Sequence, residues 1–243
     1  MDNNLFLVAN GVFAKSFKYV ALVALFFMLP QNIIMVMLPE HWFFANTAGG
    51  IMPAIAVEAI LLLFVVSVLF TPLSIAALTY IAKQTLMGEQ ISVYGILDHS
   101  IMRWSLLCFT ATLQMILVLA GMFLFVLPAI YFGTIFVFYI MVVAEHGKWG
   151  MSALKHSATL VKGSFWKTFL IMTFTQLCMI IINDLVLSFF GGGSGVVDTA
   201  ISVATITIKD MFLTYFTFVM IVHFYRMMYY KEGINVFTHA TKP

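Results

Sequence analysis

"SLLCFTATLQMILVLAGMFLFVLPAIYFGTIFVFYIMVVA" runs from Ser105 to Ala144 without one charged residue. As a single helix these 40 residues would be about 60 Å long, twice a hydrocarbon core of about 30 Å. The segment must turn back on itself. Pro128 lies near its middle and suits a helix start, because the amide it lacks would be unpaired there anyway. The reading is a tight hairpin of two spans, 105–126 and 129–144, turning at Leu127–Pro128.

The rest of the chain has the same character. Its 243 residues are 63% hydrophobic and 9% charged, with a mean hydropathy of +1.05. A soluble domain carries about a quarter of its residues charged, so the expected solvent is lipid. The expected fold class is all-α: one domain, 1–243, a polytopic membrane bundle of six transmembrane helices with interfacial amphipathic elbow helices. The spans fall at about 17–38, 55–82, 105–126, 129–144, 168–190 and 206–229. The formal net charge of +2 is too small to argue for nucleic acid. Cys108 and Cys178 lie in apolar runs and read as free thiols. The run Tyr19 to Leu38 has the length of a span rather than of a short leader core.

Charge fixes the expected orientation. Lys15, Lys18, Lys83, Arg103, Lys148, Lys155, Lys162, Lys167, Arg226, Lys231 and Lys242 fall on one side of a six-span map, and they are 11 of the 12 basic residues. The other side, with "PEHWFFANTAGG" and "GGGSGVVD", has none. The positive-inside rule then places both termini in the cytoplasm. Trp104, Trp149 and Trp166 fall at cytoplasmic helix ends and Trp42 just past an opposite one, where aromatic belts form.

Two cytoplasmic connections read as elbows in the interface. Around "GKWGMSALKHSATLVKGSFWK", helical periodicity puts Met151, Leu154, Ala158, Val161 and Phe165 on a lipid-facing stripe. Lys148, Lys155 and Lys162 edge it, Lys167 and the two tryptophans Trp149 and Trp166 flank it, and Ser152, His156 and Thr159 face away. Such lysines snorkel to anionic headgroups. In "ISVYGILDHSIMRW", Val93, Tyr94, Leu97, Ile101 and Trp104 share a face. Leu5, Val8, Val12 and Phe13 make a weaker third case. "LDHS" at 97–100 and "LKHS" at 154–157 sit on the two elbows, which suggests a span–elbow–span repeat.

"VLPAIYFGTIFVFYIMVVAE" followed by "ALKHSATLVKGSFWKTF" resembles the YciC-like bacterial inner-membrane proteins, a family related to the membrane domain of some glycerophosphodiester phosphodiesterases. The resemblance is carried by Pro128-Ala129-Ile130, by Ala153 to Ser157, and by Gly163 through Trp166 to Phe169. Ala129 stands where that family usually has Gly. The resemblance implies a six-helix membrane protein of the inner membrane. It implies no hydrolysis, since the phosphodiesterase domain is not among these residues.

Motifs for chemistry are weak. "GGGSG" at 191–195 does not complete G-x-S-x-G and lacks its strand–turn–helix context. "SFWK" at 164–167 matches S-x-x-K without partner motifs. His41, His99, His146, His156, His223 and His239 show no pairing at ligand spacing, so no metal and no cofactor is expected. Lys209 and Asp210 interrupt the last span. Neighbours on a helix do not face each other, so Lys209 is expected to pair with Asp184 on the preceding helix. Glu58, Asp184, Lys209 and Asp210 then form a charged layer at the outer boundary, with Asp210 or Glu58 lining an outward pocket. Simple interfacial anchoring is the alternative.

Three functions stay open from sequence. One is a non-enzymatic inner-membrane protein of envelope or membrane-lipid homeostasis, whose partners are anionic lipids on the cytoplasmic side. The second is a transporter of small solutes, peptides or lipids, or a transporter accessory, using Pro30, Pro72, Gln114 and Asn183. The third is an intramembrane enzyme built on Glu58, Asp184 and Asp210. The charge map makes a direct prediction. Topology reporters fused after Gly193 and after Lys242 will report opposite sides of the membrane, and two fusions reporting the same side would mean an odd error in the helix count.

Overall fold

The computed structural model describes residues 5–37, 57–190, 196–234, 236 and 237. It is all-α, with six helices long and apolar enough to cross a membrane. In chain order the helices are α1 (Leu5–Val36), α2 (Val57–Met87), α3 (Val93–Ile101), α4 (Trp104–Leu124), α5 (Val126–Ile135), α6 (Tyr139–His146), α7 (Gly150–Val161), α8 (Phe165–Phe190) and α9 (Val196–Glu232). The chain is a multi-span integral membrane protein. The loop with Trp42 and the glycine run 191–195 lie outside the described residues.

The charge-free run folds back as its length demands, but at Phe125. That residue is extended, with φ −173° and ψ 160°, and it ends α4 and starts α5. Pro128 sits in the first turn of α5, where a missing amide costs nothing. The hairpin closes tightly at Gly121. A Cβ there would come within 3.0 Å of the Ala129 nitrogen and of the Phe132 ring. Small residues at such crossings let backbones approach in lipid.

The second half of the hairpin is not the continuous helix expected over 129–144. It breaks at 136–138 into α5 and α6. The sequence there, Phe-Val-Phe, holds no helix breaker. The cause is tertiary: Ser157 of elbow α7 donates its hydroxyl to the Ile135 carbonyl (2.9 Å) and accepts from the Phe138 amide (3.2 Å). The elbow thereby satisfies the backbone groups that the break exposes.

Two prolines are handled similarly. Pro72 lies inside α2 and cannot donate to the Val68 carbonyl. The Cys108 thiol of α4 approaches that carbonyl at 3.5 Å, and the Trp104 indole N–H donates to the next one, Leu69, at 3.3 Å. In α1 a π-helical turn over Ala24–Met28 precedes Pro30, and the Leu29 amide reaches back five residues to the Ala24 carbonyl. The N-terminal residues from Leu5 are the first turns of this helix, not a separate elbow as the sequence suggested.

Packing is concentrated at one end. The fully buried set includes Ala76, Ala77, Leu78, Ile81 and Ala82 of α2, Val142 to Ala144 of α6, and Phe218 and Ile221 to Tyr225 of α9 apart from His223, which is nearly so. In contrast α8 exposes Leu170, Phe174, Leu177 and Ile181 along one face. That face needs lipid.

The elbow α7 is docked more deeply than its periodicity implied. Leu154 and Val161, expected on the lipid-facing stripe, are fully buried against the bundle with Ala153, Ser157 and Leu160. Met151 remains exposed. The Gly150 amide donates to Thr110 of α4 at 2.8 Å, which pins the elbow's start. Ser157→Ala should cost about 2–3 kcal/mol, because it strands a buried carbonyl and amide together. Denaturation in detergent measures the loss, and hydrogen exchange should show the Phe138 amide specifically deprotected. Unchanged exchange at Phe138 would mean that the elbow does not hold the break.

Candidate functional site

The functional candidates converge at the end of the bundle where α2, α6 and α9 meet the elbows. Glu145, near the C-terminus of α6, is its centre. Its side chain is 6% exposed and lies 2.6 Å from the Lys83 ammonium of α2. The Tyr225 hydroxyl of α9 donates to its other oxygen at 2.9 Å. One carboxylate thus ties three spans. Beside it, Arg103 donates to the Val143 carbonyl at 3.0 Å and to the Ala144 carbonyl, capping the negative end of α6. His99 of elbow α3 stacks obliquely near Tyr80, with ring centroids 5.4 Å apart. Burial lowers its pKa. Glu145 opposes the shift, while Arg103 and Lys83 add to it.

A cavity of about 230 Å³ opens at the same end. Ser164, Lys167, Arg226, Tyr230 and Lys231 line it, with Met227 and His223. His223 is nearly fully buried and shares a 3.1 Å hydrogen bond with Thr168 of α8. That contact also makes α8 and α9 neighbours, as the expected Lys209–Asp184 pairing supposed. Ser164 stands immediately before α8, so the cavity meets the positive end of a helix as well as three cationic side chains. Lys231 also donates to the Thr159 carbonyl at 2.8 Å and to the Lys162 carbonyl, which closes the last turn of α7.

Next to this cavity α9 ends in Glu232, which reaches two histidines. Its Oε2 lies 3.3 Å from Nε2 of His146, and its Oε1 lies 2.9 Å from Nε2 of His156. The two rings have centroids 4.7 Å apart. His156 was expected to face away from the apolar stripe of the elbow. It turns inward instead, and the Lys148 ammonium sits 3.1 Å from its Nδ1. Burial and Lys148 lower the His156 pKa, against the pull of Glu232. Nothing in the spacing announced this trio: the histidines are ten residues apart and Glu232 comes from the far end of the chain.

The basic residues expected at the elbow divide by environment. Lys155, Lys162 and Lys167 are exposed, as are Trp149 and Trp166. Lys148 is half-buried on His156. At the other expected site, the side chains of Glu58 and Asp184 lie outside the described residues. Lys209 does approach its neighbour, contrary to the helical-geometry argument: its ammonium is 3.3 Å from Asp210 Oδ1. A four-carbon stem can bend back over one residue, which a fixed Cβ direction does not capture. Asp210 also accepts from Asn32 of α1 at 2.9 Å, and Asn32 reaches Thr207 at 3.3 Å. These charges therefore bind α1 to α9.

No family model, no curated protein and no solved structure matches the chain. The resemblance to the YciC-like group thus rests on the motifs quoted above.

The Glu145 junction yields a stability prediction. Glu145→Ala removes a carboxylate that a buried Tyr225 hydroxyl and Lys83 both use, and should cost about 2–4 kcal/mol. Tyr225→Phe, which leaves the ion pair, should cost about 1 kcal/mol. Thermal unfolding in detergent checks both, and a Glu145→Ala protein as stable as wild type would remove the junction from the account.

Proposed function

We propose that this chain is a non-enzymatic protein of a bacterial inner membrane, with both termini cytoplasmic, that binds anionic lipid headgroups and acts in envelope or membrane-lipid homeostasis. The observation that carries this reading is the cavity between α8 and α9. Lys167, Arg226 and Lys231 supply positive charge, and Ser164 and the start of α8 supply hydrogen-bond donors. A guanidinium fits two phosphate oxygens at once. Met227 and Tyr230 give the same cavity an apolar wall suited to the glycerol and upper acyl region. The exposed Trp149 and Trp166 support a position at the membrane surface, and the exposed Lys155 and Lys162 extend the positive field around it. The resemblance to the YciC-like group agrees with this assignment. A solute carrier would instead gather its polar groups on a site near the midplane. This cavity lies at the basic end, beside the elbow.

The test is lipid retention by the purified full-length protein, measured by native mass spectrometry with phosphatidylglycerol against phosphatidylcholine. Wild type should hold phosphatidylglycerol preferentially. At about 1 kcal/mol per basic side chain near an anionic surface, Lys167→Gln and Arg226→Gln should each weaken that preference about fivefold. Equal retention of the two lipids by wild type would overturn the proposal.

A further inference from the structure

We propose that His146, His156 and Glu232 form a binding site for a divalent transition-metal ion of the zinc class. This inference is independent of the lipid reading, because it uses none of the cavity's side chains.

The three donors come from three elements: the end of α6, the middle of α7 and the last residue of α9. One ligand atom from each can be chosen so that all lie within 4.8 Å of one another. A tetrahedral ion with bonds of about 2.0–2.1 Å needs ligand atoms about 3.3 Å apart. The Glu232 carboxylate spans both rings, with Oε2 3.3 Å from His146 and Oε1 2.9 Å from His156. Rotation of the carboxylate and of the two imidazoles would bring one oxygen and two nitrogens from within 4.8 Å onto a common ion. Two imidazoles and one carboxylate make the ligand set of an open zinc site, with a fourth position left for water. Nitrogen donors of this kind select zinc, cobalt, nickel or copper over magnesium and calcium.

A second observation points the same way. Nε2 of His156 is buried and has no hydrogen-bond partner, although the Glu232 oxygen is only 2.9 Å away. The ammonium facing Nδ1 leaves the ring proton on Nε2, beside that oxygen, and a metal ion would take this proton's place. Nδ1 of His146 is likewise buried without a partner.

Lys148 is the residue that opposes the ion. Its ammonium sits 3.1 Å from Nδ1 of His156. With a metal on Nε2, Nδ1 must carry the ring proton, and a proton there cannot share space with an ammonium. Lys148 has to swing to solvent on binding. A glutamine at this position would reverse the effect: its carbonyl can accept from Nδ1–H, the kind of outer partner that strengthens a metal-bound histidine.

The experiment is a Co²⁺ titration of the full-length, metal-stripped protein in detergent, followed by visible absorption and competed with Zn²⁺. Wild type should bind one ion per chain with the intense bands of a four-coordinate site. Glu232→Gln and His156→Ala should each lose at least tenfold in affinity, and Lys148→Gln should gain severalfold. Zn²⁺ should raise the melting temperature of wild type but not of Glu232→Gln. Should His156→Ala fail to fold, Lys148→Gln still locates the ion, since it keeps all three ligands. Absence of stoichiometric cobalt absorption in wild type overturns the proposal. So does an affinity that Lys148→Gln and Glu232→Gln leave unchanged.

Discussion

A backbone carbonyl or amide freed inside a bilayer has no water to bond to, and every irregularity in this bundle must be answered by a neighbour. Pro72 frees a carbonyl in α2, and α4 brings Cys108 and Trp104 to that turn. The break between α5 and α6 frees a carbonyl and an amide, and the elbow brings Ser157 to both. These contacts do more than satisfy polar groups. Each joins elements distant in sequence, and each works in only one relative placement of the helices. Among helices that are all apolar, such directional bonds set the register that dispersion alone would leave loose.

The cations follow the same logic. Their asymmetry reads as a topology signal, yet several are spent within the protein. Lys83 pairs with Glu145, Arg103 caps α6, and Lys231 closes α7. A positive side chain at a helix C-terminus meets the negative end of the peptide dipoles. Elbows that begin and end at one membrane face present such termini in number. Positive charge at this end therefore stabilises the fold. Lys155, Lys162 and Lys167 are left exposed.

The legible part of this fold was the part governed by length and hydropathy. A 40-residue uncharged run cannot be one span, and it is not. Six apolar helices and two elbows follow from the same arithmetic. The reversal itself was displaced by three residues, because Pro128 tolerates the first turn of a helix without having to be its first residue. Periodicity misassigned the inner stripe of α7, because an apolar face packs against protein as readily as against lipid and the pattern is identical. Ser157, though part of the repeated "LKHS" stretch, gave no sign of its backbone contacts: a serine on an amphipathic helix looks solvated. The same limit hid the His146–His156–Glu232 trio, which exists only because α6, α7 and α9 end together.

That common end has a further consequence. Lys231 and Glu232 are consecutive, yet they serve different clusters. Lys231 lines the cavity while reaching the last turn of α7, and Glu232 reaches His156 in the middle of that same elbow. Both grips act on one rigid helix, pinned at its start by Thr110 and at its centre by Ser157. The cavity and the histidine cluster are thus joined through two adjacent residues of α9 and one elbow rather than through a long path of packed side chains.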